Sequence, residues 1–406
     1  MAPSKLLLTG ATGFIGGIVL RRILDTTDPA LKSLSITAVV RRPDQADLLA
    51  SKGVQTVLVN DLGNADRLKQ VASSHDIVVN VASGHHSDAP KALIQGLQKR
   101  REETGADVHF VHLSGTTNIA VSSLTKSPFE VQTFSDKDNI YEYELLREAH
   151  QAYGQRTADV NIIQTGESAN VKTYIVMPPS VYGRGDGWFK RQSHQIPTLI
   201  RNAIATGYSE HIDAGTTNSG HVHVSDLSSL YALLLEKILS GGDVPFGRNG
   251  YYFSSTGSHS WLGVATQIGK VGFNLGALQS ATPRSISLKE AAVKLADGDP
   301  KFAEACFSSN SSTKPEKAYE LGWKPAKTER DFETSIQESF EDLLSGVVSD
   351  EKFPVGNHRT DEAFSQLARH IITSHISRIR GRRSTYLGTE LLPGLFWKAT
   401  DNVSDD

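Results

Sequence analysis

The residues best suited to chemistry come early. Thr9-Gly10-Ala11-Thr12-Gly13-Phe14-Ile15-Gly16 sets three glycines in a TGxxGxxG spacing. An apolar run, residues 5–9, precedes them. Residues 14–24 follow, with Ile15, Ile18, Val19 and Ile23 on one helical face. In a strand–turn–helix unit the first glycine permits a tight turn. The second leaves room for a pyrophosphate against the backbone, and the third lets the helix pack closely on the strand. The free amides of the first helical turn then face the phosphates. The spacing therefore predicts dinucleotide binding by Gly10, Thr12, Gly13, Phe14, Ile15 and Gly16.

Further candidates follow along the chain. Arg41-Arg42 ends a second apolar run, residues 36–40, where an acid would usually hold the ribose hydroxyls of NAD. A guanidinium suits a 2'-phosphate through paired, charge-assisted bonds, so NADP(H) is expected over NAD(H); the plainer alternative is a solvated pair. Asp61-Leu62 are expected to border the adenine, and Asn80 and Ala82 to lie along the cofactor. Pro178, closing a run at 171–177, completes the expected cofactor-binding set. His85-His86 could supply an acid or base, or be ordinary loop residues. His221 and His223 share a strand face but lack a third ligand, so no metal is expected. Asp226 reads as a first-turn helix residue with Ser225 as cap. One cysteine, Cys306, allows neither an intrachain disulfide nor a thiolate zinc cage.

These residues need a scaffold that brings strand ends together. Apolar runs at 54–59, 77–81, 108–113 and 171–177 alternate with helical patterns at 43–51, 89–103, 139–153 and 157–168, and residues 114–138 read as a polar loop. That rhythm predicts an α/β fold: a Rossmann doubly wound parallel sheet with a smaller C-terminal substrate region and a helical tail. The expected boundaries are 1–179, 180–347 and 348–406. Helices are expected at 196–206, 226–239, 260–271 and 287–296. A glycine-rich loop, 182–195, would place Trp188 and Phe189 over an apolar substrate or simply bury them. In the tail, residues 361–379 are amphipathic and lead into Arg378, Arg380, Arg382 and Arg383. That helix would dock on the body or on a second subunit, leaving an oligomer open; the alternative is contact with an anionic membrane surface.

With 38% hydrophobic residues, 21% charged residues and a net charge of −3, the 406-residue chain is a globular protein with no nucleic-acid signature. No run approaches the ~20 apolar residues of a membrane span, and no secretory signal is visible. A cytoplasmic location is expected on those grounds.

TGATGFIGG at the start, NVAS after the fourth strand, HLSGT after the fifth, PPSVYG after the sixth and HVHVSD at 221–226 carry a resemblance. They resemble the extended and atypical short-chain dehydrogenase/reductases, in particular the epimerase/dehydratase-like NAD(P)-binding proteins of fungal type. The likeness covers residues 5–345. It implies a catalytic Ser or Thr, a Tyr, and a Lys four residues after the Tyr that holds the ribose and lowers the Tyr pKa. On this resemblance Ser114 takes the Ser position, with Thr116 as a neighbouring substitute, and Tyr141 takes the Tyr position. Leu145 then stands where the lysine belongs, leaving an incomplete triad. A tyrosine without that cation keeps a pKa of ~10 and is a donor rather than a base. Tyr143 with Arg147, or Lys126 or Lys137 from the preceding loop, are the alternative sources of charge. The expected function is NADP(H)-dependent reduction of a carbonyl on a small, largely apolar secondary metabolite. A non-redox epimerase, isomerase or dehydratase, or a cofactor-sensing regulator, are the alternatives.

Overall fold

The computed structural model describes residues 3–345 apart from 83, 85–87, 123 and 126–127. His85, His86, Lys126 and the amphipathic tail lie outside the described residues.

The first half runs β1 (Lys5–Thr9), α1 (Phe14–Leu24), α2 (Pro29–Lys32), β2 (Ser35–Val40), α3 (Pro43–Ala50), β3 (Gln55–Leu58), α4 (Ala65–Ala72), β4 (Ile77–Asn80), α5 (Asp88–Thr104) and β5 (His109–Leu113). Then come β6 (Thr133–Ser135), α6 (Ile140–His150), α7 (Gly154–Ala169) and β7 (Lys172–Met177). The second half holds β8 (Ser180–Tyr182), α8 (Gln195–Thr206), β9 (Glu210–Ile212), β10 (Asn218–His223), α9 (Val224–Leu239), β11 (Tyr251–Phe253) and β12 (Gly257–Ser260). It ends with α10 (Trp261–Asn274), β13 (Arg284–Ile286), α11 (Leu288–Leu295), α12 (Pro300–Phe307), β14 (Ser312–Lys314), α13 (Glu316–Glu320) and α14 (Glu329–Leu344).

Among the described residues, seven strands form one sheet in the order β11-β7-β5-β4-β1-β2-β3, every neighbour parallel. Strand order reverses between β1 and β4, and in such sheets ligands bind in the crevice at the carboxyl ends there. All four residues of β4 are buried, as helices on both faces require. The seventh strand, β11, and helix α9, whose Leu227, Leu230 and Leu234 join the core under β1, come from beyond residue 179. The chain thus leaves the Rossmann body after β7 and returns to it. A separate core joins α8, α10, α11, α12 and α14 through Ile200, Ile268, Ala291, Phe307 and Phe340. The stretch read as a polar loop, 114–138, contains β6, which pairs with β14 and ties the two halves together.

The break between α6 and α7 matters most for function. Residues 139–153 read as one helix in sequence. Instead α6 ends at His150, Gln151 is extended (φ −154°, ψ 115°), and Tyr153 (φ −139°, ψ 120°) caps the start of α7. A helix feeding a parallel strand must run back from the carboxyl edge of the sheet. The first turn of α7 therefore lies at that edge.

Candidate active site

The loop after β1 has the shape its glycines implied. Gly10 adopts φ +75°, and a Cβ there would sit 2.6 Å from the carbonyl carbon of Val81, so the turn is pressed against the end of β4. A Cβ on Gly16 would lie 2.1 Å from Gly10 O, which fixes the close approach of α1. Gly13 caps α1 with no side-chain bond to its first turn, leaving amides that an anion can take. These residues fit a dinucleotide pyrophosphate.

A cavity of about 450 Å³ opens beside this loop. Gly13, Phe14, Ile15, Gly16, Ala82, Ser114 and Pro178, all singled out from sequence, line it. Thr12 and Gly10 are not among the lining residues; Gly10 shapes the loop from below. Backbone bonds from Ser114 N to Val176 O (2.8 Å) and Thr116 N to Pro178 O (3.0 Å) lock the loop after β5 against β7.

Tyr141 is not in the cavity. It is 1% exposed in the core beneath β5 and β7, with only a 3.4 Å contact from Gln164 Nε2 to its hydroxyl, and the Arg248 guanidinium lies over its ring. Leu145 packs against the same core, and Arg147 is engaged with Phe129, Tyr143 and Ala120 O. Lys137 bonds Glu320. The tyrosine that lines the cavity is Tyr153. Its hydroxyl bonds the Thr117 side chain, and burial with Cys306 nearby pushes its pKa up to about 12, against the opposing pull of Arg156. Four residues on, the spacing at which the family resemblance sets a lysine after its tyrosine, stands Thr157, whose hydroxyl bonds Glu148 and Tyr153 O. The guanidinium of Arg156 lies 5.8 Å from the Tyr153 ring, but its donors go to Glu148, Asn118 O and Gln151 O. The sequence signal for Tyr153 was directional: it opens the helix immediately before β7.

Two hydroxyls at the end of β5 are oriented differently. Ser114 Oγ donates to Asp159 Oδ2 at 2.5 Å, so its proton is turned away from the cavity. Thr116 Oγ1 accepts from Ser311 Oγ at 2.6 Å, which leaves its own proton for a ligand in the cavity. Lys190, Gln192, Ser193 and His194 line the far end with Phe302, Cys306 and Ser309. Burial beside Lys190 and Arg201 pushes His194 down to about 4, so it is neutral near pH 7.

Other expectations change place. The Asn80 side chain turns inward, accepting from Thr9 Oγ1 (2.6 Å) and meeting His112 Nδ1 (2.9 Å), so Val81 and Ala82, not Asn80, face the cavity. Arg41 and Arg42 are exposed beyond β2 and outside the cavity lining, and Arg42 makes two bonds to Asp44. Asp61 closes a turn on Gly63 N, and Leu62 packs on the core. Trp188 and Phe189 pack on the body beside α1, with Arg21 over the Trp188 ring, while the following residues face the cavity. His221 and His223 pack edge-on against Tyr182 at 5.4 and 5.1 Å. The cap of α9 is His223 rather than Ser225, and Asp226 accepts from Ala326 N and Lys327 N. Among the described residues no three His, Cys, Asp or Glu gather as a metal site, and no helix is long and apolar enough to cross a membrane.

Known proteins share this architecture. Vestitone reductase from alfalfa (Medicago sativa) superposes with a TM-score of 0.54 at 16% identity, covering 85% of this chain and 99% of that one. UDP-glucose 4-epimerase from Thermotoga maritima, solved with UDP-glucose, gives 0.55 at 12% identity, with 85% and 100% covered. In sequence, oxidase ucsJ of an Acremonium species is 26% identical over 357 residues, 84% of this chain and 98% of that protein. A dTDP-4-dehydro-6-deoxy-D-allose reductase of a Streptomyces species is 28% identical over 255 residues, 58% of this chain and 73% of that protein. The model of the NAD dependent epimerase/dehydratase family matches residues 6–245. With its glycine loop, its parallel sheet and a tyrosine at the sheet's carboxyl edge, the chain belongs to that family.

Proposed function

We propose that the protein is an NADP(H)-dependent reductase of a carbonyl on a small metabolite, with Tyr153 as proton donor. The observation that carries this reading is Tyr153 itself: a buried hydroxyl in the cavity, held protonated by a pKa near 12 and lacking a lysine four residues on. The reduced nicotinamide, when bound, supplies hydride to the carbonyl carbon. The Tyr153 hydroxyl hydrogen rests on Thr117 Oγ1, whose own hydrogen goes to Gln155; on substrate binding it turns from that neutral acceptor to the carbonyl oxygen and gives up the proton, forming the alcohol, and Tyr153 recovers a proton from water. Thr116 offers the second hydrogen bond to that oxygen, whereas Ser114 is committed to Asp159. An epimerase or dehydratase cycle that begins by oxidising an alcohol needs a base, and Tyr153 is poorly placed to be one. The lining supports a substrate with an apolar face against Phe302 and Val181 and a polar end toward Lys190 and Gln192.

The NADP(H) preference rests on Arg41, exposed at the end of β2, more than on Arg42, which is occupied by Asp44. Replacing Arg41 by Ala is expected to weaken NADPH about tenfold while leaving NADH within twofold, a loss typical of one charge-assisted contact. Equal weakening of both cofactors would refute the assignment. The activity is tested by incubating the protein with deuterated NADPH and a panel of carbonyl compounds, followed by mass spectrometry. Deuterium in an alcohol product supports reduction. A rearranged or dehydrated product without deuterium would favour the epimerase/dehydratase reading, and NADPH binding without any product would favour a cofactor sensor.

A further inference from the structure

Behind Ser114 lies a wholly buried polar cluster that carbonyl reduction does not call on. Asp159 of α7 and Glu144 of α6 have no exposed surface and accept from the same Asn118 amide. Asn118 Nδ2 lies 2.8 Å from Asp159 Oδ2, 2.9 Å from Glu144 Oε1 and 3.2 Å from Ser114 Oγ. An amide nitrogen carries two hydrogens, so it serves two of these three acceptors at once. Tyr251 of β11 donates to Glu144 Oε2 at 2.8 Å.

The surrounding charges leave the pair uncompensated. His112 of β5 takes the Asn80 amide at Nδ1 (2.9 Å), which assigns its proton to Nε2, 3.7 Å from Asp159 Oδ1. Burial pushes that ring down to about 3, so it is neutral. The nearest guanidiniums, Arg156 and Arg147, are bonded elsewhere, to Glu148 and to backbone carbonyls. Two carboxyl groups that meet at one amide in a dry interior cannot both ionise without a bonded cation. Desolvation raises Glu144 to about 7, and desolvation together with the charge of Glu144 raises Asp159 well above the usual carboxyl range.

We propose that Asp159 and Glu144 hold one proton between them at neutral pH and thereby fix the Ser114 hydroxyl as an acceptor toward the cavity, where it reads an N–H or O–H donor on the bound dinucleotide. Asp159 Oδ1 has no other hydrogen-bond partner and can carry the shared proton, so Asp159 Oδ2 stays free to accept from Ser114, and a Ser114 lone pair faces the ligand. Asp159 and Glu144 are positioning residues that act through Ser114. The inference rests on the cavity as the dinucleotide site and not on carbonyl reduction, so failure to reduce any carbonyl leaves it standing.

The test uses the full chain and needs no turnover. Infrared difference spectroscopy without ligand should show a buried carboxylic-acid C=O band at pH 7 that disappears as pH is raised and is absent in Glu144→Gln/Asp159→Asn. NADPH affinity, read by nicotinamide fluorescence, should fall about tenfold in Ser114→Ala and Asp159→Ala. Asp159→Asn, whose amide oxygen still accepts from Ser114, should bind within about twofold of the parent. Absence of the acid band in the folded parent at pH 7 overturns the proposal, as does unchanged NADPH binding in Ser114→Ala. Should the variants fail to fold, the infrared result on the parent decides alone.

Discussion

Replacing Tyr153 by Phe is the sharpest test of the active site. The substitution removes one oxygen and keeps the ring, its position at the start of α7 and its place beneath Arg156. Thr117 loses the Tyr153 partner but keeps its 2.7 Å bond to Gln155 Oε1, so the local fold should survive. A positioned general acid is worth about 10²–10⁴ in rate, or about 3–5 kcal/mol at 1.36 kcal/mol per decade. Thr116 remains as a second donor to the carbonyl oxygen, which places the expected loss in kcat/KM toward the lower end, about 10²–10³. The assay is NADPH consumption with whichever carbonyl compound takes up deuterium, alongside NADPH affinity and thermal melting of the same variant. Affinity should stay within about twofold, since the missing hydroxyl meets the substrate. Tyr141→Phe is the matched control: its hydroxyl sits in the core with one long contact, so turnover should be unaffected. Turnover in Tyr153→Phe close to the parent, or a loss confined to Tyr141→Phe, would refute the assignment.

Thr157→Lys should lower the Tyr153 pKa by ~1–3 units and raise alcohol oxidation at pH 8–9 relative to carbonyl reduction; an unchanged oxidation rate in a folded variant would show that the missing cation is not what limits it. Gly16→Ala should abolish NADPH binding in fluorescence titrations, because its Cβ would stand 2.1 Å from a backbone oxygen that cannot move without opening the phosphate loop; tight binding would contradict the loop geometry. Stability should fall with acid. His221 and His259 stack on Phe332 at 4.1 and 5.2 Å, and burial pushes them down to about 4 and about 3, so the folded state keeps them neutral while the unfolded chain protonates near 6.5. Their contribution is complete above pH 6.5 and is lost progressively below it, about 2 kcal/mol by pH 5 for His259 and less for His221, whose Nε2 lies 3.2 Å from Glu329 Oε1 and can be charged there. Melting curves from pH 7.5 to 5 should show Tm falling, less steeply in His259→Phe; identical slopes would remove the rings from the account.

Several features were legible in the residues alone because they are local. Glycine spacing, strand-like apolar runs and helical periodicity depend on neighbours within one or two turns. They were enough to anticipate the phosphate loop and the parallel sheet; Gly13, Gly16, Ala82 and Pro178, singled out with them, line the cavity, whereas Ser114 came from the family resemblance. What periodicity cannot give is which of two nearby tyrosines a helix break delivers to the sheet edge. Tyr141 and Tyr153 lie in one continuous amphipathic stretch, and only the break at 151–153, with Gln151 and Tyr153 extended, separates the helix that buries the first from the helix that the second caps. The direction of side chains at strand ends was likewise decided by packing. Asn80 and Ser114 both sit at the carboxyl edge, yet each is drawn inward by a buried partner, His112 for one and Asp159 for the other, 32 and 45 residues away in sequence. Local sequence therefore determined the elements and the cofactor loop. The tertiary structure decided which tyrosine lines the cavity and which way the hydroxyls beside it point, because buried polar groups are satisfied by whichever partners the fold brings within 3 Å.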